Sequence, residues 1–132
     1  MRVFVDTSAF LAVLNPDDVN HQPAAAMWEN LLLREEQLIV TNYVLLETIA
    51  LARQRHGIPV VQNFQLSAVP VLSIHWVDAS IHAFGVVALL AANRRQLSLV
   101  DCTSFQVMRQ LGIDTAFAFD EHFVEQQFIS IP

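Results

Sequence analysis

At 132 residues with one cysteine, Cys102, the chain is long enough to bury a core and cannot form an internal disulfide, which fits a reducing compartment. It carries 13 acidic and 7 basic residues, net −6, and all seven basic residues are arginine, so it is a poor candidate for nucleic-acid binding through bulk positive charge, and any such binding must be local. Hydrophobic residues make up 54% and mean hydropathy is +0.41, which predicts a sheet buried on both faces together with an apolar surface covered by a second subunit.

The first predicted element is a strand, Val3 to Val5, which ends in Asp6-Thr7-Ser8 before an apolar helix from Ala9 to Leu14. Asn15-Pro16-Asp17-Asp18 breaks the pattern, and Pro23 takes a first-turn position of an amphipathic helix through about Glu35. Leu38 to Val40 is the second strand. Thr41 or Asn42 caps a helix from Tyr43 to His56, with Gly57 as its stop. Pro59 starts another helix to about Ala68, and Val69-Pro70 leads into a third strand, Val71 to Ile74. Asp78 caps a long helix to Asn93, whose most apolar part, Ile81 to Ala92, is shorter than the ~20 residues a membrane span needs. Leu97 to Val100 reads as a loop or a strand end, followed by a helix from Cys102 to Leu111 and its stop at Gly112. Thr115 to Phe119 is a strand, and Phe128 to Ile131 a last, edge strand. The N-terminus lacks a cationic segment followed by a long apolar one, so no signal peptide is expected and the chain should stay in the cytoplasm. Strands alternating with helices of ten or more residues imply right-handed crossovers. The expected architecture is a three-layer α/β/α sandwich with a mostly parallel central sheet, residues 1–132 forming one domain.

Asp6 sits at a strand-to-helix turn, and such turns lie at the carboxyl edge of a parallel sheet, where ligands bind. Asp101 and Asp120 also follow apolar runs and precede helix-like or turn segments. Each could be a helix N-cap; three at equivalent places project from one edge. Glu47 interrupts an apolar helix, with Tyr43, Val44, Ala50 and Leu51 three and four residues away and no cation in local reach. It must face solvent, pair with a distant arginine, be protonated, or bind a metal. The helix from Tyr43 starts at the same edge and brings Glu47 over it. Four converging carboxylates in a chain without lysine repel and raise one another's pKa values unless a divalent cation is present. Oxygen-only ligands suit Mg²⁺ or Mn²⁺ and not zinc. Such a site can hydrolyse phosphodiesters.

Val3 to Phe10, Tyr43 to Glu47, Leu97 to Phe105 and Phe117 to Phe123 resemble the four signature segments of PIN-domain ribonucleases, especially VapC-type toxins of bacterial toxin–antitoxin pairs. The likeness spans Val3 to about Ile131. It implies a Mg²⁺- or Mn²⁺-dependent endoribonuclease acting on RNA. It also implies a homodimer, restrained where a cognate antitoxin exists. Its four acids match Asp6, Glu47, Asp101 and Asp120, and a hydroxyl assisting near the third acid matches Ser104, with Thr103 next. Thr7 and Ser8 are further candidates for hydroxyl or backbone contacts.

Arg53, Arg55 and His56 end the Glu47 helix and Arg94-Arg95 the long one. These cations complement helix C-termini, and Arg53 with Arg55 could also guide an RNA strand. His122 reads as a surface or packing residue, with proton transfer as its alternative. Two other functions compete. A catalytically silent PIN-like module would act by protein association alone. A phospho-accepting α/β domain would need a lysine that this chain lacks.

Overall fold

Val3, Phe4 and Val5 are all fully buried, as consecutive residues can be when a strand is covered on both faces, because successive side chains point to opposite sides. In the computed structural model, which describes residues 1–132, this strand, β1 (Arg2–Val5), is the middle of a five-stranded sheet. The others are β2 (Gln37–Thr41), β3 (Leu72–His75), β4 (Thr115–Phe117) and β5 (Ile129–Ile131), in the order β3-β2-β1-β4-β5. Every neighbouring pair is parallel; Phe4, for example, stands opposite Ile39 on one side and Ala116 on the other. Helices α1 (Thr7–Leu14), α2 (His21–Leu33), α3 (Asn42–His56), α4 (Ile58–Asn63), α5 (Ala79–Ala92), α6 (Leu99–Leu111) and α7 (His122–Glu125) connect the strands. The result is the expected three-layer α/β/α sandwich. Its strand order reverses between β1 and β4, and the crevice outside their carboxyl ends is where ligands bind in such sheets.

Several boundaries differ from expectation, for local reasons. Helix α2 spans His21–Leu33, with Pro23 in its first turn as expected, and stops two residues short of Glu35. Helix α4 ends at Asn63, and a π-helical turn (Phe64–Ala68) and a 3₁₀ turn (Val69–Val71) around Pro70 postpone β3 to Leu72. Leu97 to Val100 is not a strand end. Ser98 is the N-cap of α6, and Leu99 and Val100 form its first turn. Asn93 closes α5 in the left-handed conformation (φ 49°), so Arg94 and Arg95 lie beyond the helix and not in its last turn.

The high hydropathy divides as expected between core and surface. Only Ile81 and Gly85 of α5 are buried, whereas Phe84, Val87 and Leu90 are at least 60% exposed. Helix α5 packs on α6 at Gly85, where a Cβ atom would stand 2.6 Å from the Thr103 methyl group. No helix is long and apolar enough to cross a membrane.

A candidate metal centre

Each aspartate in the crevice is held by its immediate sequence. Asp6 is the N-cap of α1, and its Oδ2 accepts from the Ser8 amide (3.1 Å) and the Ser8 hydroxyl (2.6 Å). Asp101 stands three residues into α6 in a capping box with Ser98. Its amide donates to Ser98 Oγ and its Oδ2 accepts from the Ser98 amide, both at 3.0 Å. Asp120 follows β4, and its Oδ1 accepts from the His122 amide at 2.9 Å. One oxygen of each carboxylate is therefore fixed. The second oxygen of each has no hydrogen bond in the protein, and because no buried side-chain polar atom lacks a partner, these three oxygens are open to solvent on residues that line the cleft.

Glu47 arrives from the middle of α3, which leaves the same sheet edge at the end of β2 with Thr41 as its cap. Thr7 fixes α3 against α1. Its hydroxyl donates to Val44 O (3.4 Å) and accepts from the Thr48 hydroxyl (3.2 Å). The cleft, about 270 Å³, is lined by Asp6, Glu47, Asp101 and Asp120, with Ser8 and Gln96 among its walls. All four predicted acids thus meet in one place.

Their electrostatics are those of a crowded acidic site. Burial pushes Asp6 up to about 7; the two Ser8 hydrogen bonds oppose this, and Asp101 and Asp120 add to it. Glu47 is raised by burial and by the same two aspartates, with the Thr7 hydroxyl pulling the other way. Asp101 is raised by burial and Asp120, against the Ser98 hydrogen bonds and His122. Neither an arginine nor a lysine lines the cleft. A divalent cation with oxygen preference fits this donor set. Donor atoms of Asp101, Asp120 and His122 lie within 4.8 Å of one another, but both His122 ring nitrogens are already engaged, so the carboxylates are the available ligands.

Other expected residues lie elsewhere. Ser104 does not line the cleft: it is fully buried, and its hydroxyl donates to Val100 O at 2.8 Å within its own helix. Thr103 turns inward in the same way, onto Leu99 O and Val100 O. Arg53 and Arg55 are exposed and outside the cleft wall, Arg55 one turn beyond Leu51, which lines it. His122, expected at the surface or as packing, is 5% exposed, with Nε2 on Gln96 O (3.1 Å) and Nδ1 on Glu125 Oε2 (3.3 Å). Burial alone would lower its pKa; Glu125, Asp120, the Gln96 carbonyl and Asp101 raise it overall.

Ser8 carries more of the site than its size suggests. Besides serving Asp6, its hydroxyl accepts from the Phe119 amide at 3.0 Å, joining α1 to the chain leaving β4. Ser8→Ala leaves that amide and one carboxylate contact unmet, so a loss of about 1–3 kcal/mol in denaturant unfolding is expected.

A parallel α/β/α sandwich whose crevice gathers four carboxylates from separate segments defines a recognisable class. The family model of the PIN domain matches residues 3–129, and the chain belongs to that family. Two relatives carry the likeness to VapC-type members further. The 23S rRNA-specific endonuclease VapC20 of Mycobacterium tuberculosis, from strains CDC 1551 and H37Rv, is 32% identical over 130 residues, 98% of this chain and 97% of VapC20. The crystal structure of M. tuberculosis VapC20, a sarcin–ricin loop cleaving toxin, matches with a TM-score of 0.82 and 32% identity over 96% of both chains. FitAcB from Neisseria gonorrhoeae shares the fold at a TM-score of 0.70 and 15% identity, over 100% of this chain and 97% of its own.

Proposed function

We propose that this chain is a Mg²⁺- or Mn²⁺-dependent endoribonuclease and the toxin of a toxin–antitoxin pair. The observation that carries the reading is the cleft itself, which Glu47 lines together with three aspartates that each leave one oxygen unpaired, and which no arginine or lysine lines. Asp6, Glu47, Asp101 and Asp120 hold the metal. When bound, a divalent cation supplies acidity for a water nucleophile and charge neutralisation for the phosphodiester.

The chain's own residues do the positioning. Ser8, the Ser98 capping box and the His122 amide fix one oxygen of each aspartate, so the metal-facing oxygens are oriented before any ligand arrives. Ser104 supports the first turn of α6 from outside the cleft lining. Of the two arginines, Arg55 continues the helix face of Glu47 and Leu51 and steers the phosphate backbone; Arg53 stands further round.

Residues 1–132 act as one PIN-like domain in the cytoplasm. The exposed Phe84, Val87 and Leu90 of α5 supply the face for a homodimer, and an antitoxin segment masks the cleft. A silent interaction module would use that apolar face but would not need four mutually repelling acids.

The substrate to try first is RNA carrying the sarcin–ricin loop, the target of the relative VapC20. Purified protein should cut it at a discrete site with Mg²⁺ or Mn²⁺, stop in EDTA, and resume when the metal is restored. If ribosomal RNA stays intact and calorimetry detects no Mg²⁺ binding, the interaction-module reading takes its place.

A further inference from the structure

We propose that His122 is a positioning residue for the metal centre, its ring clamping the loop that leads into α6, and with it Asp101, onto the segment that carries Asp120. The inference rests on the metal-dependent reading above.

The two carboxylates come from pieces of chain with unequal anchorage. Asp120 and α7 are fixed from beneath by Phe123, which is fully buried against Phe105 and Phe4 at ring separations of 5.1 and 6.4 Å. Residues 93–96, by contrast, are exposed, and Leu97 is the first buried residue after them. His122 joins the two. Its Nε2 donates to Gln96 O at 3.1 Å, while Glu125 Oε2 takes Nδ1 at 3.3 Å and Arg94 Nη1 at 2.7 Å, so the loop is held at both Arg94 and Gln96. Two residues further on, the Ser98 amide fixes Asp101 Oδ2, while the His122 amide fixes Asp120 Oδ1. One residue therefore touches both halves of the arrangement. Partners that orient metal ligands typically change metal affinity or activity by about 10–100-fold.

Charge and position make opposite predictions here. Gln96 O and Glu125 Oε2 are both acceptors, so both ring nitrogens donate and the ring is cationic, 3.8 Å from Asp120 Oδ1. Removing a cation beside the acids should tighten Mg²⁺ binding. Removing a clamp should weaken it.

The test is calorimetric Mg²⁺ titration of RNA-free protein for wild type, His122→Leu, Glu125→Ala and Glu121→Ala. Glu121 is an exposed acid one residue from Asp120 that makes no hydrogen bond or ion pair with the ring, and controls for the lost charge. The expected result is a dissociation constant raised about 10–100-fold by His122→Leu, raised in the same direction by Glu125→Ala, and near wild type for Glu121→Ala. Should His122→Leu not unfold cooperatively, the contrast between Glu125→Ala and Glu121→Ala decides alone. Equal values for those two, or tighter binding by a folded His122→Leu, overturn the clamp. Wild type that binds no Mg²⁺ sinks the metal centre and the clamp with it, whereas wild-type binding with unaffected variants sinks only the clamp.

Discussion

RNA cleavage should fall at least about 100-fold in Asp101→Asn, and comparably in Asp6→Asn, with the fold intact. Groups that merely orient metal ligands cost about 10–100-fold when lost, and a ligand itself should cost more. Asparagine is nearly the same shape as aspartate and caps as well, so in Asp101→Asn the amide oxygen can still accept from Ser98 while an NH₂ group turns toward the metal. The change thus separates charge at the cleft from the capping box beneath it. Cleavage rates at saturating Mg²⁺, beside thermal melts of the same preparations, give the comparison. Near-wild-type rates in both variants would remove Asp6 and Asp101 from the reaction.

A feature of this fold is legible in the sequence where its signal is local. Val3 to Val5 announces a doubly covered strand because three successive apolar residues leave no solvent face, and Asp6 then falls at its carboxyl end by chain connectivity alone. Glu47 was legible for the opposite reason: a carboxylate without a local cation among apolar neighbours needs a tertiary explanation. Asp101 reached the cleft by a different route from the expected one. Leu97 to Val100 reads as a loop or a strand end, but Ser98-x-x-Asp101 is a capping-box pattern whose N-terminal signal outweighs the short apolar run. Ser104 illustrates a rotamer that sequence does not specify, since a helical serine can turn its hydroxyl back onto the carbonyl four residues earlier, as it does here. His122 is buried, and its ring bonds the Gln96 carbonyl of a loop 26 residues earlier in the chain. Its one local trace is a glutamate three residues on, within reach of the ring.

In metal-free protein, stability should fall as pH rises from about 4 to about 7. Asp6 has its carboxyl pushed from the ordinary 3.8 to about 7, so across that window the folded state keeps a proton that the unfolded state has released, and stability decreases with pH. About three pH units at about 1.4 kcal/mol each give a cost on the order of 4 kcal/mol once Asp6 is ionised. Glu47 and Asp101, raised for the same reason of burial, act in the same direction. His122 does too: its raised pKa stabilises the fold at low pH and that stabilisation is lost as pH passes through the folded value. Asp6→Asn removes the largest of these contributions, so without metal at pH 8 it should melt above wild type by on the order of 10–15 °C, with a flatter profile below. Mg²⁺ should close most of that gap, because binding at a hundred times Kd stabilises wild type by about 2.7 kcal/mol while a variant lacking a ligand gains little. Metal-free wild type that is more stable at pH 8 than at pH 5, and indifferent to Mg²⁺, would mean the four carboxylates share a cleft without sharing an ion.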